Sequence, residues 1–123
     1  MNKNKSMNAP HTINRGLVVI IPKQPTYDWE NKVFPDDDLI RNIEDTVEHN
    51  SYLLKEYQTY HDPKKALKNY WKFIFEDHLF GICTDENEWP PKLTWKLFTE
   101  WFDFQFSSMV IDLEKGMIVK EEY

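Results

Sequence analysis

The run Leu17-Val18-Val19-Ile20-Ile21, closed by Gly16 and Pro22, is the longest aliphatic stretch in the chain. Four of its five residues are β-branched, which stiffens the side chain and favours extended backbone. A continuous apolar run, rather than an alternating one, predicts a strand buried on both faces. Five residues are too few to cross a bilayer, and Pro22 ends the run short of a signal-peptide core. The rest of the chain must cover this strand.

Aromatic residues supply the cover. They make up 15% of 123 residues, with Trp 5, Tyr 6 and Phe 8. That is enough to bury one core without disulfide or metal. Asp62 and Pro63 read as the N-cap and first turn of a helix. Leu67, Tyr70, Trp71, Ile74, Phe75 and His78 continue it at helical spacing, and Gly81 reads as its left-handed cap. Thr94 caps a second helix carrying Trp95, Leu97, Phe98, Trp101 and Phe102. After an extended link at Pro22 and Pro25, Thr26 caps a shorter helix through Tyr27, Trp29 and Val33, which Pro35 stops. A further helical pattern runs from about Asp37 to Glu48, through Leu39, Ile40, Ile43 and Val47.

Ser51 to Tyr57 reads as a strand, and so does Phe104 to Leu113. The apolar phase of the latter slips near Ser107-Ser108, which predicts a bulge or bend. Glu114-Lys115-Gly116 reads as a hairpin turn into a return strand at Met117 to Val119. The order β-α-β-α-α-β-β predicts an α+β fold. Its architecture is a two-layer sandwich, with a mixed or antiparallel sheet of three to four strands under two or three helices. Residues 1–15 read as a disordered arm, 16–119 as one domain and 120–123 as a polar tail.

Several chemistries are poorly served. Only 3 Gly are present, and neither GxGxxG nor GxxxxGK[ST] occurs, so a glycine-rich phosphate cradle is not expected. The formal net charge of -6 disfavours non-specific binding to nucleic acids and anionic membranes. The single cysteine, Cys83, cannot form an internal disulfide or a multi-cysteine zinc site. His11, His49, His61 and His78 show no HxxxH or HExxH spacing, and Asp36-Asp37-Asp38 lacks the spacing of a calcium loop. No cofactor is expected, and the cytoplasm is the expected compartment.

The segment Gly81 to Pro91 is the densest in chemical groups. Cys83 lies near His78 and Asp85, the residue types of an activated thiolate. A cysteine at a helix C-terminus, however, meets the negative end of the dipole, which raises a thiol pKa. Asp28 beside Trp29, and Asp103 among Trp101, Phe102 and Phe104, are carboxylates placed for desolvation by rings. Lys64, Lys68 and Lys72 stand four apart and read as one solvated helix face.

Four stretches carry a resemblance: VVIIPKQPTYDW (Val18 to Trp29), SYLLKEY (Ser51 to Tyr57), CTDENEWPPKLTWKLFTEWFD (Cys83 to Asp103) and SSMVIDL (Ser107 to Leu113). With its Pro-x-Gln-Pro, Asp-Trp, Cys-Thr-Asp and Glu-Trp-Phe signatures, the chain resembles a family of small bacterial α+β proteins of uncharacterised role. The resemblance implies a bacterial, intracellular, single-domain protein, and it supplies no site residue.

The leading expectation is a non-enzymatic protein-interaction or regulatory module, with another protein as partner. Its contact surface would be an aromatic rim of Trp29, Trp89, Pro90 and Pro91. One alternative is a small hydrolase-like enzyme using Cys83, Asp85 and Asp28. Another is an acidic decoy of a nucleic-acid-binding protein, built on Asp36 to Asp38, Glu44-Asp45, Glu86/Glu88 and Glu121-Glu122.

Overall fold

The computed structural model describes residues 10–36 and 49–123. Among these, the elements run β1 (His11–Ile13), β2 (Arg15–Pro22), α1 (Gln24–Val33), β3 (Asn50–Lys55), α2 (Glu56–His61), α3 (Pro63–Lys68), α4 (Trp71–Ile82), a 3₁₀ turn (Glu86–Glu88), α5 (Trp95–Trp101), β4 (Phe102–Ser107) and β5 (Val110–Asp112). The fold is α+β, with two small antiparallel sheets. The helical pattern expected at Asp37 to Glu48 lies outside the described residues.

The aliphatic run forms the centre of the main sheet, in the order β3-β2-β4. Gly16, Val18, Ile20 and Pro22 are buried, while Leu17, Val19 and Ile21 are half-buried. The strand therefore has one core face, not two. On the other face its neighbours are Ser51, Leu53, Asp103, Gln105 and Ser107, which shield it without sealing it.

The helical layer packs on the core face. Val18, Ile20, Leu54 and Phe102 from the sheet meet Trp29, Ala66, Leu67, Ile74, Phe75, Leu79 and Phe98 from α1, α3, α4 and α5. Phe98 is the hub, with no exposed surface. Its ring centroid lies 5.2 Å from Phe104, 5.3 Å from Phe102, 5.6 Å from Phe75, 5.8 Å from Trp95 and 6.1 Å from Trp71. Offset ring pairs at such separations add about 0.5–1.5 kcal/mol each beyond area burial.

The caps at Asp62 and Thr94 form as expected. The Asp62 carboxylate accepts from the Lys65 N–H at 3.2 Å, and the Thr94 hydroxyl accepts from the Leu97 N–H at 3.0 Å. Thr26 is not a cap. Pro25 sits in the first turn of α1, compatible with its missing N–H, and Lys23 is the N-cap residue. The buried Thr26 hydroxyl instead donates to the Trp101 carbonyl at 2.7 Å, which also receives the Lys23 N–H at 2.8 Å. These bonds join the start of α1 to the end of α5.

Five boundaries differ from expectation, the first at Phe102, which opens β4 instead of continuing α5. The helix begun at Asp62 breaks at Asn69-Tyr70 into α3 and α4. Gly81 lies inside α4, which ends into an extended Cys83, so no left-handed cap is needed there. Asn50–Lys55 is the strand and Tyr57 belongs to α2. The segment 113–119 turns at Gly116, whose φ is +93°, but Met117 to Val119 forms no strand.

The partner of β5 is instead β1, inside the segment expected as a disordered arm. Residues 11–13 gain their ladder from Val110 to Asp112, a pairing invisible to local sequence. β1–β2 and β4–β5 thus make one long ribbon bent in the middle. Between the pairs Leu17–Ser107 and Ile13–Val110, residues 14–16 face residues 108–109. The extra residue lies on the side of residues 14–16, and the bend expected near Ser107-Ser108 forms at Ser108. The Ser107 hydroxyl donates to the Met109 carbonyl at 2.8 Å and accepts its N–H at 3.3 Å.

At the bend, α2 crosses the core face. A Cβ on Gly16 would collide with the side chain of Thr59, so glycine permits this close approach. Thr59 is buried, and its hydroxyl donates to the Lys55 carbonyl at 2.8 Å.

Candidate functional site

The loop after α4 is fastened by two tryptophans. The Trp89 indole N–H donates to the Cys83 carbonyl at 2.8 Å, and the Trp29 indole N–H donates to the Glu88 carbonyl at 2.8 Å. Asp85 accepts from the Asn87 N–H at 3.0 Å, which sets the 3₁₀ turn. Trp29 is only 8% exposed and belongs to the core. It cannot rim a contact surface, because its ring packs inward and its single donor is spent. Trp89 and Pro90 are half-buried, and Pro91 is exposed. They line an open depression of about 460 Å³ with Lys72, Glu76, Glu86, Lys92 and Leu93.

The residues of the hydrolase alternative do not converge. Cys83 Sγ lies 3.8 Å from the Asp85 carbonyl. Asp28 is exposed on α1, where it accepts from Gln24 at 2.9 Å. Asp103 is also exposed and pairs with Lys23 at 3.5 Å. Both carboxylates are exposed, so the rings that flank them in sequence do not cover them. Among the described residues, no hydrogen bond joins Cys83 to a histidine, and no three His, Cys, Asp or Glu come together as a metal site. Lys68 lies over the Trp95 ring, 5.1 Å from its centroid, so it is partly a packing residue.

His78 is half-buried on the apolar stripe, with its Nε2 buried. It lies edge-on to Phe102 with centroids 5.1 Å apart. Burial pushes its pKa down to about 4, against an opposing pull from the Asp77 charge. Nε2 has no hydrogen-bond partner among the described residues. His78 borders a cavity of about 70 Å³ with His49, Asn50, Tyr52 and Ile74. Next to it, Asp77 accepts from the Tyr52 hydroxyl at 2.6 Å and from the Tyr123 hydroxyl at 2.8 Å. Burial, then the Asp77 hydrogen bond and charge, holds the Tyr52 phenol well above its ordinary range.

One group of exposed apolar side chains lies at the bent ribbon, while Leu53, Tyr70, Phe73 and Phe80 are exposed elsewhere. Met109, Ile111 and Leu113, alternating by two, are 63%, 52% and 72% exposed, and Tyr57 and Tyr60 on α2 are each 70% exposed. Ile111 stands opposite Thr12 in the ladder, so these two share a face. Thr12, Ser108 and Met109 close one side of a hollow of about 360 Å³, and Glu56, Tyr57, Tyr60 and His61 close the other. On the remaining side of the ribbon, Met117 and Ile118 bend back near His11, Ile13 and Asp112. β1 and β5 each have one ladder neighbour among the described residues, which leaves backbone edges able to accept another strand.

Sequence reasoning missed this surface. The period-2 exposure of Met109, Ile111 and Leu113 was the available signal, masked because the same residues read as an ordinary half-buried strand. Among the described residues, no helix is long and apolar enough to cross a membrane. Comparison with known proteins finds no family model that matches the chain, no similar curated protein and no similar solved structure.

Proposed function

We propose that this protein is an interaction module that docks an extended segment of a partner protein on its β1–β5 ribbon. The observation that supports this most is the exposed apolar row Met109, Ile111 and Leu113 beside Tyr57 and Tyr60. Large exposed apolar side chains beside unpaired strand edges suit β-strand addition. Main-chain hydrogen bonds to an edge would supply affinity, and the alternating apolar side chains would supply register.

The partner segment is expected to be basic around its apolar core. Glu56, Asp112 and Glu114 border the ribbon against Lys115, and the chain carries a formal charge of -6. Opposite charge on the partner steers encounter, whereas a second acidic copy is repelled. The acidic-decoy alternative has less support: Glu86 and Glu88 lie on the loop after α4, away from the ribbon, and Asp37, Asp38, Glu44 and Asp45 lie outside the described residues.

Selection of random twelve-residue peptides on the immobilised protein tests the reading. Enriched peptides should alternate apolar residues, shift the amide resonances of Thr12, Met109 and Ile111, and lose at least tenfold in affinity against Ile111→Lys. Peptides that bind Ile111→Lys equally well, or no enrichment at all, would refute it. A concentration-dependent dimer abolished by Ile111→Lys would assign the surface to a second copy instead.

A further inference from the structure

The hollow between α2 and the ribbon bend has a chemistry of its own. His61 stands between two tyrosines, with ring centroids 4.1 Å from Tyr57 and 4.9 Å from Tyr60, the latter edge-on. Both tyrosines are largely solvent-exposed, so their π faces are not consumed by the core. Glu56 lies at the rim, and Thr12, Ser108 and Met109 form the opposite wall.

Aromatic faces attract cations through the ring quadrupole, and a nearby carboxylate adds a counter-charge. A thioether wall is polarizable and adapts to a flat group. A planar guanidinium suits this setting better than an ammonium, since it stacks on tyrosine and forms a forked pair with a carboxylate. The hollow opens at the same bend that presents Met109, so a side chain from a segment lying on the ribbon could reach it. We propose that the hollow binds the guanidinium of an arginine carried by that segment. This rests on the docking reading above and names the residue that sets its specificity.

The test uses N-acetylarginine amide as probe, with the citrulline and norleucine analogues as controls, followed by the aromatic resonances of the full chain. The arginine probe should give saturable shifts at Tyr57, Tyr60 and His61, and should bind at least fivefold more tightly than either control. Glu56→Gln and Tyr57→Leu, both at exposed positions, should weaken it at least fivefold while leaving the core methyl spectrum unchanged. Equal binding of citrulline or norleucine, shifts elsewhere, or no shift would overturn the proposal. Selected peptides that need Ile111 but contain no arginine would sink this inference alone. Arginine binding without any peptide that depends on Ile111 would sink the docking reading alone.

Discussion

Trp29 and Glu88, 59 positions apart, share a hydrogen bond in which the indole N–H donates to the backbone carbonyl at 2.8 Å. The contact fastens the loop after α4 to α1, and it removes Trp29 from any surface role. Trp29→Phe keeps most of the ring packing and deletes the donor. It should cost about 1 kcal/mol, measured by urea denaturation, while Trp29→Ala should cost about 3–5 kcal/mol. In Trp29→Phe the loop should also open more often, so Cys83 should alkylate faster under native conditions. An unchanged alkylation rate would show that Trp89 alone holds the loop.

Gly16 is the pivot on which α2 meets the sheet. Gly16→Ala places a Cβ against Thr59 and should destabilise by about 1–3 kcal/mol. Adding Thr59→Gly removes the opposing atoms. The double variant should therefore lose less than the two single losses combined, a coupling that denaturation of all four proteins reveals. Simple additivity would mean that the helix shifts away at no cost.

How much of this was legible depended on whether the deciding forces were local. Leu17 to Ile21, Asp62-Pro63 and Thr94 announced a strand and two helix starts through side-chain stiffness and capping, which act within a few residues. The phase slip at Ser107-Ser108 announced the bend there for the same reason. β1 was hidden because His11–Ile13 is only 3 residues long and is ordered by Val110 to Asp112 across the whole chain. Thr26 looked like a cap because Pro25 looked like a helix breaker, and only the Trp101 carbonyl shows otherwise. Trp29 was offered to solvent because a tryptophan near prolines suits either a core or a rim, and Glu88 decides between them.

Acid should weaken the protein through His78. Its folded pKa of about 4 lies below the ordinary 6.5. Between these values the unfolded chain takes up a proton that the folded chain refuses, so stability falls as pH falls. The contribution is fully present above about pH 6.5 and is lost by about pH 4, a span of about 3 kcal/mol. Denaturation of wild type and His78→Leu at pH 7.5, 5.5 and 4.5 isolates it. The stability difference should move in favour of the variant as pH drops, and a constant difference would contradict the burial of this ring.

Asp77 joins two tyrosines of unequal burial. Spectrophotometric titration should show a phenol that ionises well above the ordinary tyrosine range, and Tyr52→Phe should remove it. Asp77→Asn should bring it down, because the hydrogen bond and charge of Asp77 add to burial in raising it. Tyr123→Phe should leave the melting temperature unchanged and speed amide exchange in residues 117–122, since Tyr123 is 94% exposed.

The docking role requires an apolar row on the ribbon that faces water in the free protein. Relaxation of side-chain methyls by a soluble, uncharged gadolinium chelate measures this directly. Met109, Ile111 and Leu113 should relax several-fold faster than Val18, Ile74 and Leu79, and the effect at Ile111 should vanish when a selected peptide binds. Methyls at 109, 111 and 113 already as protected as the core in the free protein would contradict the account.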